Sequence, residues 1–416
     1  MSEVAQAPHS SPDGRIPQLR FPEFDGVWES RLLKDAVKIN PRSGELPDEF
    51  IYIDLESVKK GYLIKETQIN KIGAPSRAQR LLNKNDVIFQ TVRPYQKNNY
   101  FFNLDGDYVA STGYAQLRVL NSPEFLYQAL HTDRFVYDVM ARSTGTSYPA
   151  INSTDLSKIK LNLPTKPEQQ KIAAFLTAVD NKIEQLSKKQ ELLGEYKKGL
   201  MQQIFSQAIR FKADDGSDFP DWEEVKLGNI GEFKTSSVDK KIVEGQKLIQ
   251  LVNYMNVYKH ENIKNNSTKD LMIVSANETQ LNASDLKKGD ILFTPSSETP
   301  DDIGHSVVIF EDLMDTLYSY HLMRFRPKVQ LDILYSHYFC NIPDVLRQIS
   351  RVATGSTRFT ISVGEFSKIQ INLPSLLEQT KIANFLSAID NKIEKVGKQL
   401  VESKQFKKAL LQQMFV

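Results

Sequence analysis

One 45-residue passage occurs twice in this chain, and that repeat limits what the chain can fold into. Leu161 to Phe205 reads LNLPTKPEQQKIAAFLTAVDNKIEQLSKKQELLGEYKKGLMQQIF, and Ile371 to Phe415 reads INLPSLLEQTKIANFLSAIDNKIEKVGKQLVESKQFKKALLQQMF. Aligned without a gap, 23 of 45 positions are identical, at a constant offset of 210 (374 − 164 and 415 − 205). Each copy opens on an S/T-x-x-E capping box, Thr165 to Glu168 and Ser375 to Glu378. Pro167 sits in the first turn, where a missing N–H costs nothing. Apolar residues then recur at alternating spacings of 3 and 4, as in a coiled coil. The first seam is Ile172, Leu176, Val179, Ile183, Leu186, Leu193, Leu200 and Ile204. The second is Ile382, Leu386, Ile389, Ile393, Val396, Leu400, Leu410 and Met414. Forty helical residues span roughly 60 Å. Gln190, Lys197, Ser403 and Lys407 interrupt the seams, which predicts looser packing or partner contact there. The nearest partner for each seam is the other copy, so the helices are expected to pair antiparallel with a head at each end.

The duplication extends beyond the helices. PQLRFPEFDGVWESRLLKDA (Pro17 to Ala36) and FKADDGSDFPDWEEVKLGNIG (Phe211 to Gly231) share a Phe-Pro pair, an acidic turn and a Trp. Trp28 and Trp222, the only tryptophans, each open a half. They lie 194 apart against 210 for the tails, so the second head is longer by 210 − 194 = 16 residues. The heads read as short strands, with DVIFQ (Asp86 to Gln90) matching DILFT (Asp290 to Thr294) and AQLRVL (Ala115 to Leu120) matching HLMRFR (His321 to Arg326). Asn83-Lys84-Asn85 and Lys287-Lys288-Gly289 are turn signals before the first pair. Helical patches follow at Phe125 to Met140 and Ile333 to Ile349. Boundaries follow from this pattern: a tail at residues 1–16, heads at 17–163 and 220–373, helices at 164–207 and 374–416, and a linker at 208–219.

Bulk properties exclude several classes. At 416 residues and 40% hydrophobic, the chain can bury real cores. A single cysteine, Cys340, rules out a disulfide or cysteine-built zinc site and fits a reducing, cytoplasmic setting. The N-terminus has no apolar core of a secretory signal, and no stretch is long and apolar enough to span a membrane. A net charge of +2 does not argue for nucleic acid unless the positive charge is gathered on one face. There is no G-x-x-x-x-G-K-[ST] phosphate loop, no G-x-S-x-G elbow, and no metal-ligand spacing among the six histidines. Pro220-Asp221 with Glu224-Val225-Lys226 has a nuclease-like look, but its spacing is too short, so it is read as an acidic strand entry.

Recognition chemistry is richer. Arg93, Tyr95, Lys97, Asn98 and Asn99 interleave in a loop after a strand. Arg forks onto guanine, Asn onto adenine, and Lys pairs with phosphate. The matching loop of the second half is Ser296, Ser297 and Glu298, where a glutamate can accept from cytosine. A solvated hairpin tip is the plain alternative for either loop. Thr112 and Tyr114, with Tyr320 and His321 opposite, lead into the paired strands. A third pair of loops carries Arg142, Thr144, Thr146, Ser147 and Tyr148 in one half and Arg351, Thr354, Ser356, Thr357 and Arg358 in the other. Small hydroxyl residues around a glycine can bring backbone N–H groups to a phosphate. The second head adds Ser236, Ser237, Lys240, Lys241, Asn253, Tyr254, Tyr258 and Lys259. No metal site and no catalytic group is expected.

Two copies of N-L-P-x-x-x-E-Q-x-K-I-A-x-F-L-x-A-[VI]-D-N-K-I-E, the FPEF…W and DFPDWEEVKLG openings, the TVRPY and GDILFTPSSE loops and the run at Val238 to Gly245 make the chain resemble the specificity subunit of a Type I restriction–modification system. The likeness covers nearly the whole chain, with neither half missing. It implies an α+β fold: two α/β target recognition domains in tandem pseudo-twofold repeat, separated by two long helices paired as an antiparallel coiled coil. It also implies that each head reads one half of an asymmetric bipartite DNA site and that the helices set the unread spacer. Two modification subunits holding S-adenosylmethionine would dock on the helices, and restriction subunits using ATP and Mg would join them. This chain would bind no cofactor and carry no chemistry. A coiled-coil scaffold with β heads for protein or carbohydrate is the reading from a different class.

Overall fold

The computed structural model describes residues 15–119, 121–261, 263–264 and 267–416. All but the last two residues of the expected N-terminal tail lie outside these, as do His9 and Leu120, the last residue of the AQLRVL strand. Lys166–Phe205 and Leu376–Gln413 are single helices of 40 and 38 residues, as the repeat predicts. The chain divides into two compact units, and the division cuts both helices. One unit runs to Lys188 and takes in Gly397–Val416, whereas the other is Lys189–Val396. Each unit therefore holds a head, the start of the helix that follows it, and the end of the other repeat helix.

Within each unit the start of one helix packs on the end of the other, as antiparallel pairing requires. In the first, Ile172, Ala173 and Leu176 share a core with Leu410, Met414, Trp28 and Phe125. In the second, Ile382, Ala383 and Leu386 share a core with Ile204, Phe205 and Tyr335. Two of the interrupting residues are not loose points. Lys407 pairs with Asp180, and Lys197 pairs with Asp390 at 2.6 Å. These pairs are one interaction repeated, since 390 − 180 and 407 − 197 both equal 210. Gln128 Nε2 also donates to Asp180 at 2.8 Å, and Tyr338 OH donates to Asp390 at 2.7 Å. The lysine stems stay at the half-buried seam while their ammonium groups meet a carboxylate from the facing helix.

The helix starts depart from the expected capping box. Ser375 Oγ accepts from Glu378 N at 3.4 Å, which is the hydroxyl half of the motif. Both glutamate side chains are fully buried and serve as acceptors for the head instead. Glu168 takes Arg20 Nε at 2.7 Å, Arg20 NH2 at 2.8 Å and Trp28 Nε1 at 3.3 Å. Glu378 takes Arg210 Nε at 3.3 Å, Arg210 NH2 at 2.9 Å and Trp222 Nε1 at 3.0 Å. The tryptophan that opens each half is thus bonded to the helix that closes it. The stretch 208–219 is correspondingly not a free linker, because Arg210 holds Glu378 and Phe211 packs edge-on against Phe385 at 5.4 Å.

The heads share one topology although their sequences diverge. Glu29–Leu32 pairs antiparallel with Lys160–Leu163, and Glu223–Lys226 with Gln370–Leu373. A four-stranded sheet follows in each. The first runs Val37–Ile39, Tyr114–Val119, Asp86–Gln90, Tyr100–Phe101. The second runs Gly231–Thr235, Met323–Pro327, Ile291–Phe293, Ser306–Val308. A further sheet contains a parallel pair, Glu49–Ile53 with Tyr108–Ser111 and Lys247–Val252 with Thr316–Tyr318. In the first head this sheet has an extra strand, Ala78–Leu81. The matched strands are pinned by a repeated ion pair, Arg118 to Asp86 at 3.0 Å and Arg326 to Asp290 at 2.7 Å. The same aspartates close the predicted turns by accepting from Asn83 N and Lys287 N, with Asn85 and Gly289 at positive φ. Each expected helical patch is two short helices, Pro123–Ala129 with Asp133–Arg142 and Ile333–Phe339 with Pro343–Val352. Thr132 caps one of them, and Pro343 starts another.

Candidate nucleic-acid interface

In the first head the loop after Asp86–Gln90 is a 3₁₀ turn, Pro94–Gln96, flanked by Arg93 (φ 54°) and Lys97 (φ 55°) in the left-handed region. Two strained residues either side of a proline hold this turn in one shape. The turn is stitched to the glycine loop beyond it. Val92 and Thr144 both bridge to Ala150, Arg93 N donates to Pro149 O at 2.7 Å, and the Arg93 guanidinium lies 5.2 Å from the Tyr148 ring centre. Gly145 (φ 95°) turns that loop. The third loop joins through Thr91, whose hydroxyl donates to Gly113 O at 2.8 Å. Arg93, Tyr148 and Thr112 are thereby gathered, with Tyr95, Arg142, Thr144, Thr146 and Ser147 on or beside the same loops.

The second head repeats the stitching with other side chains. Ser296–Ser297 pairs with Phe359–Thr360, Thr354 bridges to Thr360, and Ile361 N donates to Pro295 O at 2.9 Å. Arg358 occupies the register place of Tyr148 (358 − 148 = 210), so the cation has moved from one loop to the other. Its NH2 donates to Ser296 Oγ at 3.4 Å. Burial, followed by the charges of Lys240 and Arg358, pushes the His321 imidazole below its ordinary value. That shift marks these cations as neighbours. The Tyr320 and His321 rings meet at a tilt with centres 3.9 Å apart, and Tyr254 stacks on Tyr258 at 5.8 Å. Ser237, Lys241, Lys259, Glu298, Arg351, Ser356 and Thr357 are exposed.

Other expected contact residues are placed differently. Asn99 and Tyr114 are each 1% exposed. Asn99 Oδ1 accepts from Gln90 N, and Tyr114 OH donates to Asp54 O, so both brace the head from inside. Ser296 and Ser297 are buried by their strand pairing. Lys97 is held by Asp133 at 2.6 Å and by His131 O, and Asn98 Oδ1 accepts from Lys60 N. Asn253 caps the turn Tyr254–Tyr258, and Ser236 Oγ accepts from Val238 N. Arg77 and Arg80, which the loops named above do not include, are set beside them by the fold. The edge strand Ala78–Leu81 carries Arg80, and Arg77 O accepts from Thr112 N. Burial lowers the Arg80 pKa.

Fold and site together define a tandem repeat: two copies of one α+β head, each joining its loops with different side chains and each fastened to a repeat helix. The chain belongs to the family described as the Type I restriction modification DNA specificity domain, which it matches twice, over residues 26–193 and 220–403. It is 26% identical over 283 residues to the type I restriction enzyme MjaVIII specificity subunit of Methanocaldococcus jannaschii, covering 65% of this chain and 64% of that one. A second relative from the same organism, named a putative type I restriction enzyme MjaX specificity subunit, is 28% identical over 63% of this chain and 60% of its own. The chain thus spans under two thirds of the length of either relative. The type I restriction enzyme HindI specificity subunit of Haemophilus influenzae is 26% identical over 44% of this chain and 39% of that one. Among solved structures, the S subunit of a Type-I restriction-modification system from M. genitalium has the same fold at TM-score 0.57 and 15% identity, covering 96% of this chain and 99% of that one. A chain from a structure of an assembled type I R-M system matches at TM-score 0.57 and 22% identity, covering 92% and 96%. Among the described residues no helix is long and apolar enough to cross a membrane.

Proposed function

We propose that this chain is the DNA-reading subunit of a Type I restriction–modification complex, each head reading one half of a bipartite, non-palindromic site. The observation that carries the reading is the repeated convergence of three loops with exchanged chemistry: Arg93 over Tyr148 in one head, Arg358 beside Ser296 and Tyr254 in the other. A common scaffold with different side chains is what two different half-sites require. Two modification subunits dock on the repeat helices and supply S-adenosylmethionine, while restriction subunits supply ATP and Mg. The chain itself binds neither cofactor and holds no reacting group. The repeat helices act as the spacer, because B-DNA presents its major groove once per ~34–36 Å turn and a rigid helix sets that distance where a flexible tether does not. The family match favours this reading over a scaffold for carbohydrate or protein.

The experiment maps methylated adenines in cells expressing the chain with its modification partner. Two different half-sites at a fixed spacing are expected. Inserting one helical turn in a repeat helix adds about 5.4 Å and should change the spacing while leaving both half-sites unaltered. A palindromic site, or unchanged spacing, refutes the proposal.

A further inference from the structure

Behind the Tyr254–Tyr258 turn, four side chains from two segments meet. His305 Nε2 lies 2.9 Å from Asp302 Oδ1, and His305 Nδ1 lies 3.2 Å from His260 Nε2. His260 Nδ1 lies 3.0 Å from Ser306 O. Tyr258 OH donates to the other Asp302 oxygen at 3.1 Å, and its ring stands 4.6 Å from that of His305. His260 itself has a φ of 53°, a conformation that costs a side-chain residue energy and is held here by its neighbours.

Proton placement makes this cluster unusual. A carbonyl or carboxylate oxygen can only accept, so the ring nitrogen facing it must carry the hydrogen. That assigns N–H to His260 Nδ1 and to His305 Nε2. The two remaining nitrogens then face one another across 3.2 Å with no hydrogen assigned between them. One shared proton or a metal ion between them would satisfy both nitrogens. The distance suits a metal: with Zn–N bonds of about 2.0–2.1 Å, two ligands at a tetrahedral angle stand about 3.3 Å apart. Metal-ligating histidines also characteristically donate their other N–H to a carboxylate or backbone carbonyl, which fixes the ring and raises its basicity. Both outer partners are in place here.

We propose that His260 and His305 form a two-histidine site for a divalent zinc-type ion, oriented by Ser306 O and by Asp302 on Tyr258. Water fills the open coordination positions. The ion replaces the shared proton and ties the Tyr254–Tyr258 turn to the segment that follows Glu298, which places it beside the second reading loop. The His260 ring and the half-buried His305 ring are open enough for exchange with solvent.

The test is calorimetric titration of the full chain with ZnCl2, without DNA, so its outcome is independent of the DNA-reading proposal. One site per chain is expected. His260→Ala and His305→Gln should each weaken it more than ~10-fold, and Asp302→Asn should weaken it by roughly 10-fold, as removal of an outer partner does. His321→Ala should leave it unchanged. Cobalt(II) offered to the wild-type chain should give the visible d–d absorption of a tetrahedral site, which keeps the test decisive where a variant folds poorly. No zinc heat and no cobalt band in the wild-type chain, or equal affinity in the wild-type chain and the histidine variants, overturns the proposal.

Discussion

Replacing Arg20 with alanine strips a buried carboxylate of its cation. The Glu168 side chain is 1% exposed and Arg20 11%. Two of the carboxylate's three donors come from the guanidinium, at 2.7 and 2.8 Å, leaving only the longer Trp28 bond at 3.3 Å. Removing one partner of such a pair costs about 3–5 kcal/mol because the remaining charge stays buried. For a unit of this size, near 200 residues, each kcal/mol moves the midpoint by about 2–4 °C. The first unit should therefore melt on the order of 10 °C lower in scanning calorimetry. Replacing both partners with apolar residues, Arg20→Met with Glu168→Leu, should recover most of the loss. The equivalent Arg210→Ala should cost less, since Arg210 is 25% exposed and water can approach Glu378 in its place. A melt of Arg20→Ala indistinguishable from wild type, or a double variant that falls as far as the single, refutes the reasoning.

Gly355→Ala should disable the second head selectively. A Cβ there would stand 2.1 Å from Arg358 O, on a backbone with φ +147°, so duplex binding should lose dependence on the second half-site and keep the first. Gly145→Ala, with 3.1 Å to Tyr148 O, should be the milder change. Arg93→Ala should weaken duplex binding by about 1–3 kcal/mol and relax discrimination at one position of the first half-site, as read by competition with variant duplexes. His131 provides a pH test. Burial, countered by its bond to Tyr127 O and aided by Lys407 and Lys97, pushes its imidazole down to about 4. The unfolded chain titrates near ~6.5, so it binds more protons than the folded chain between those values. Stability is then complete above pH ~6.5 and lost as pH falls toward 4. His131→Gln should flatten that part of the denaturant midpoint plotted against pH.

Much of this architecture is local enough to be legible in one dimension. A seam of period 3.5 with breaks at Pro164 and Pro374 specifies a helix wherever it occurs, and a 210-residue offset specifies that it occurs twice. DVIFQ forms its strand from Asp86 to Gln90 as read, because its β-branched and aromatic side chains are buried on both faces. Convergence of the TVRPY, STGY and STGTSY loops was not legible, because the contacts that join them link segments remote in sequence. Burial of Asn99 and Tyr114 was not legible, because an amide or phenol beside a basic loop is spelled the same whether it faces solvent or braces a backbone. Lys197 and Lys407 read as flaws in the seam, since their counter-charges Asp390 and Asp180 sit on the other repeat helix.

The sequence by itself determined the duplication, the two long helices, the common strand pattern of the heads and the family to which they belong. All of these are carried by spacing and repetition along the chain. Tertiary structure alone decided that Glu168 and Glu378 are buried acceptors for Arg20, Arg210 and the two tryptophans and not the closing half of a capping box. It alone decided that Arg93 lies over Tyr148 in one head while Arg358 reaches Ser296 in the other. It also set His260 facing His305 across 45 residues of chain. The physical reason is common to the three cases. Charge pairing, desolvation and the aim of a ring nitrogen depend on distances of about 3 Å between side chains, and those distances arise only once segments remote in sequence have packed.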